Sequence, residues 1–92
     1  MTHSETTKYA TCIVVADRGH VWVCRGATET VTWLHLENAR IIRRWGTEQG
    51  LNSLVGGPRK ATILDAPAPL VSVAMRAVIA IIPCTGGWSG HV

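Results

Sequence analysis

The chain reads as an α+β domain, a small twisted antiparallel sheet of about five strands carrying one short helix, and three observations predict it. Runs of strand length rich in β-branched and apolar residues recur at Thr11–Ala16, His20–Cys24, Glu29–Leu36 and Lys60–Leu64. Turn residues separate them, as at Asp17-Arg18-Gly19 and Arg25-Gly26. One helical stripe, Leu51, Leu54 and Val55, stands between a capping residue, Thr47, and the breaker Gly56-Gly57-Pro58.

Residues 1–10 are polar, without an apolar stretch of the kind a secretory leader carries, and are expected to be a flexible N-terminus. Residues 11–85 then form a single domain, since 92 residues leave no room for a second core. Its first strand, ending at Ala16, turns back at Asp17-Arg18-Gly19 into His20–Cys24. In the third, strand period puts Val31, Trp33 and His35 on one face and Thr32, Leu34 and Leu36 on the other. Short connections make these an antiparallel meander.

The segment Asn38–Trp45 leaves two readings open. As a strand it shows Arg40, Ile42 and Arg44 on one face; as a helix it groups Arg40, Arg43 and Arg44 at i, i+3 and i+4. A short helix near Glu48 to Val55 comes next. After the strand candidate Lys60–Leu64, Pro67 and Pro69 each remove a ladder donor, so residues 65–69 are a loop or an edge segment. The run Leu70–Ile82 is apolar apart from Arg76 and fits one or two strands buried on both faces, being too short for a bilayer. Residues 86–92, with Gly86, Gly87 and Gly90, read as a flexible C-terminal tail.

Composition narrows function. A net charge of +3 and a pI near 9.1 favour an anionic partner without the density of a polycationic nucleic-acid tail. Cys12, Cys24 and Cys84 are odd in number and never spaced as Cys-x-x-Cys, so buried inert thiols are expected in place of a disulfide framework or a zinc site. His20 and His35 stand without a Ser, Cys or carboxylate in a recognisable motif. No phosphate loop and no His-Glu-x-x-His is present. Neither an enzyme activity nor a metal or cofactor is expected, and the protein is expected in the cytoplasm, away from membranes. A small chain with 47% apolar residues has material for a homo-oligomer interface.

The strongest functional signal is the density of charge at Asn38, Arg40, Arg43, Arg44 and Trp45, to which Arg76 is added. Guanidinium forks pair with phosphate oxygens, and a neighbouring aromatic plane stacks on a base at ~1–3 kcal/mol per base. The competing reading is a solvated face paired with Glu37 and Glu48, with Trp45 in the core.

At Asn38-Ala39-Arg40 through Trp45, Leu51-x-x-Leu54 and Ile81-Ile82-Pro83-Cys84-Thr85, the chain resembles a family of small phage proteins. Its members carry Asn-Ala-Arg-Arg-Leu/Ile-Trp-Tyr-Trp, a Ser-Leu-Ser-Gln-Leu helix and an Ile-Glu-Ile-Ile-Pro-Cys-Thr strand end. The match runs from Tyr9 to Thr85. That family is similar in turn to the Thoeris anti-defence sponges of the first type, oligomeric phage proteins that sequester cyclic ADP-ribose isomers, and in some cases cyclic oligonucleotides, in the host cytoplasm. The resemblance implies that Arg40 contacts phosphate. It departs at Ile41, where the family has a second arginine, at Arg43-Arg44, where it has Trp-Tyr, and after Lys60, where its stacking aromatic has no counterpart. An alternative is an interaction or inhibitor module whose basic patch docks on an acidic host protein or on nucleic acid.

Overall fold

The computed structural model describes residues 7–46 and 50–92 and is mostly β. With 52% of it in strands and no helix of seven residues or more among the described residues, the expected α+β class is corrected to a nearly closed, barrel-like sheet. The stripe at Leu51 and Leu54 winds into a 3-10 turn, Leu51–Leu54. Its neighbours explain why. Gly50 at φ +97° on one side and Gly56-Gly57-Pro58 on the other leave too few residues to nucleate an α-helix. The expected helix start, with Thr47 and Glu48, falls outside the described residues.

Among the described residues eight strands run in the order β1 (Thr7–Tyr9), β2 (Cys12–Ala16), β3 (Val21–Cys24), β4 (Gly26–Glu29), β5 (Trp33–Arg44), β6 (Ile63–Leu64), β7 (Ala68–Ala74) and β8 (Val78–Pro83). Most are halves of longer, broken strands. β1 and β2 together pair antiparallel with β4 and β3, and these in turn pair with the two halves of β5. On its other edge β5 takes β7 along its first half and β6 along its second. β8 returns to pair with β2 and leaves a seam between β7 and β8. Thr7–Tyr9, expected within a flexible terminus, is held in the sheet, with the Tyr9 hydroxyl donating to Glu29 Oε1 at 2.7 Å.

β5 is the hub, and a kink at its middle sets which way its second half faces. Leu34 and Leu36 face one core cluster, and unbroken alternation would turn Ala39 away from it. Asn38 instead adopts φ +53°, a left-handed conformation that Asn tolerates, and Ala39 returns to the same cluster. The alternation is thereby reset. Beyond Asn38, Ile42 faces a second cluster with Ile13, Val21 and Val23.

β2 and β3 are buried on both faces, which is why Cys12–Ala16 is a continuous apolar run. Cys12, Val14 and Cys24 pack against Leu34, Leu36 and Val73. On the opposite face, Ile13 and Val23 are covered by Leu54 and Trp88. Trp88 corrects the expected flexible tail. It is fully buried, and its indole Nε1 donates to the Leu54 carbonyl at 2.7 Å. The tail reaches that position by backbone contact: a Cβ at Gly87 would run into the Gly56 carbonyl, and Gly57 sits at φ +125° against Gly87. The run Leu70–Ile82 also departs from expectation. It does form two strands, split by a 3-10 turn, Met75–Ala77, but they are not buried on both faces, and Leu70 and Ile79 point outward, exposed.

Candidate functional site

The arginine-rich half of β5 is largely committed to the protein itself. Arg40, half-buried, donates from Nε to the Asp65 carbonyl at 2.6 Å and from Nη1 to the His91 carbonyl at 3.0 Å. Arg43 pairs through Nε with the Asp65 carboxylate. Two of the three clustered guanidiniums therefore converge on one loop residue, which the sequence did not mark. Arg44 and Trp45 come at the end of the strand, both exposed, and the Trp45 carbonyl accepts from the Thr62 hydroxyl at 2.6 Å. Asn38 is half-buried at the kink.

Arg76 lies elsewhere. Trp33 pairs with Ala74 at the opposite end of β5, so at ~3.3 Å per residue Arg76 is on the order of 35 Å from Arg44. There it lines an open groove of about 370 Å³ with Val31, Thr32, Trp33, Ala74 and Met75. Trp33 is 44% exposed, Arg76 is exposed, and the Met75 N–H to Thr32 carbonyl bond of 2.9 Å holds the two sides together. The groove offers an indole plane, apolar walls and one guanidinium. That set suits a flat ring bearing an anionic group.

Two features outside that groove bear on chemistry. His35 Nδ1 lies 2.7 Å from Ser72 Oγ, a pairing between β5 and β7 that no sequence motif marks because 37 residues separate the two. A Ser–His contact begins a nucleophilic triad, but this one lies on the open outer face of the sheet. The two residues stand directly opposite each other in the β5–β7 ladder, so the contact is a cross-strand link. No group of three or more His, Cys, Asp or Glu that could hold a metal ion occurs among the described residues.

The thiols are buried as expected for Cys12 and Cys24, whose sulfurs stand 3.5 Å apart across the β2–β3 ladder. The bond to Cys12 and burial push the Cys24 thiol up, and burial chiefly pushes half-buried Cys84 up to about 11. A raised pKa keeps a thiol protonated and unreactive at mildly alkaline pH. Cys12 and Cys24 are also closed to solvent, so Ellman's reagent at pH 8 is expected to label both only after urea unfolding, Cys12 being protected by burial alone, with Cys84 slow in the native protein. Rapid native labelling of all three would contradict this placement.

No protein-family profile, characterised protein or solved structure matches the chain. Among the described residues no helix is long and apolar enough to cross a membrane.

Proposed function

We propose that the chain is a non-catalytic binding protein that sequesters a planar, anionic, nucleotide-type ligand. Cyclic ADP-ribose isomers and cyclic oligonucleotides are the members of that class which the phage-family resemblance suggests, with the anti-defence role that comes from withholding such a signal. The observation that carries the reading is the Trp33–Arg76 groove. Its lining residues supply stacking and charge pairing and include no side chain that titrates near neutrality, so they bind without a general acid or base. The phosphate contact assigned to Arg40 by resemblance moves to Arg76 in this reading, because the Arg40 guanidinium is engaged by two carbonyls.

The test is to incubate the protein with these nucleotides, wash it, denature it and chromatograph the released material. Unchanged ligand is the expected result. Trp33→Ala and Arg76→Ala should each weaken retention about tenfold or more, the equivalent of ~1.4 kcal/mol or above. A cleaved product would make the protein an enzyme. Retention undiminished in both variants would move the site away from the groove.

A second reading has its own observation. Ile41, Arg44, Trp45 and Ile63 are all exposed at the far end of β5. A basic, aromatic surface of that kind suits an acidic host protein or nucleic acid, and a host-lysate pull-down lost on Arg44→Glu, with no nucleotide retained, would favour it.

A further inference from the structure

The register of β7 on β5 determines which backbone groups remain unpaired. Met75 N–H bonds the Thr32 carbonyl, and the ladder continues with Leu34 opposite Val73 and Leu36 opposite Val71. In an antiparallel pair hydrogen-bonded positions alternate, so Val71, Val73 and Met75 direct their main chain toward β5. Ala68, Leu70, Ser72 and Ala74 direct theirs away. Among the described residues no strand pairs with that edge.

Natural proteins blunt such edges with proline, charge or a covering loop. Here Pro67 and Pro69 fall in the set that faces β5, leaving the outward donors intact. No charged residue occurs between Asp65 and Arg76. Leu70, 62% exposed, stands beside the edge.

We propose that two copies of the chain pair β7 to β7 across this edge, antiparallel about a two-fold axis at Val71. That register sets Ala68 against Ala74 of the partner subunit and Leu70 against Ser72 of the partner subunit. All four outward residues then pair on each copy, giving about eight main-chain bonds at two per residue pair. The match places a large side chain beside a small one and brings no like charges together, which is what self-complementarity in a two-fold interface requires. A two-fold axis at Ser72 would instead leave Ala68 facing the turn that carries Arg76. The partner subunit's Ala68 stands next to Ala74, so each copy adds a wall to the other's Trp33 groove. The pairing rests on the β7 geometry and holds whether or not the groove takes a nucleotide.

A strand edge is a small interface, so the dimer is expected to form progressively across the micromolar range. Sedimentation velocity over that range reads it. Ser72→Pro removes one outward donor, spares the main-chain bonds to β5 and is expected to give monomer, whereas Ser72→Ala, which loses the same His35 contact but keeps the N–H, is expected to stay dimeric. Leu70→Lys, which sets a charge on the edge, is expected to behave as Ser72→Pro does, with circular dichroism confirming the fold of each.

The register has its own test. Val71 faces its copy at a non-hydrogen-bonded position, where Cα atoms lie ~4.5 Å apart, within disulfide range. Val71→Cys is therefore expected to yield a covalent dimer on air oxidation, while the native chain, with two buried thiols and one half-buried, yields none. A native chain that stays monomeric throughout overturns the proposal. So does a dimer that survives both Ser72→Pro and Leu70→Lys, and so does cross-linking through Ser72→Cys in place of Val71→Cys.

Discussion

Replacing Trp88 with alanine is expected to lower stability by about 3–5 kcal/mol, the usual cost of emptying a fully buried aromatic site. The total stability of a chain this size is ~5–14 kcal/mol, so the change removes a large part of it. The indole does two things. It covers Ile13, Val23, Ile42 and Leu54 on the outer side of the β2–β3 layer, and its Nε1–H donates to the Leu54 carbonyl, which also accepts from the Gly57 N–H. Trp88→Phe keeps most of the cover and loses the donor, and is expected to cost about 1–2 kcal/mol. Gly87→Ala should approach the alanine variant in severity without touching the indole, because the added Cβ meets the Gly56 carbonyl and lifts the segment off. Urea midpoints at constant m-value measure all three. A Trp88→Ala midpoint equal to that of the native chain would mean that the C-terminal segment does not cover the sheet.

The same segment shows where sequence reasoning stops. Three glycines in 86–92 have the composition of a flexible tail, yet Gly87 is required by a close approach to Gly56 that only the folded chain brings about. The β3–β5 region is more legible. Period-two alternation puts Leu34 and Leu36 on one face and Trp33 and His35 on the other, and the structure buries the first pair in the core. The spacing of Leu51, Leu54 and Val55 is equally compatible with an α-helix and with a 3-10 turn, and the flanking glycines decide between them.

The candidate sites are partly legible for a similar reason. Charge density is visible in a sequence, whereas the positions of backbone carbonyls are not. Arg40 finds its acceptors 25 and 51 residues away, at Asp65 and His91, and no local pattern announces them. Arg76 and Trp33 are brought to one groove by the β5–β7 ladder, which only the fold supplies. Arg76 stands out in the sequence as the one charge in an apolar run. Its aromatic partner reads there only as the outward side of a strand.

Arg40→Ala is the variant that separates a structural brace from a ligand contact. It removes two hydrogen bonds from a charged donor to carbonyls on two different segments, and bonds of that kind are worth ~1.5–3 kcal/mol each. Water reaches the His91 carbonyl, which is exposed, and recovers part of the loss, so a net cost of about 1.5–3 kcal/mol is expected. At ~4–8 °C per kcal/mol for a domain of this size, the melting temperature should fall by about 6–24 °C. Arg44→Ala, on an exposed residue of the same cluster, is expected to stay within about 0.5 kcal/mol of the native chain. Arg43→Ala should lie between them at under ~1 kcal/mol, since its pairing with Asp65 is largely solvated. Arg40→Lys offers a point charge where a fork spans two acceptors, and it should recover only part of the melting temperature. Below its melting transition, Arg40→Ala should still retain whatever nucleotide the native protein retains. An unmoved melting temperature together with lost retention would return Arg40 to the ligand site and take the brace away from the fold.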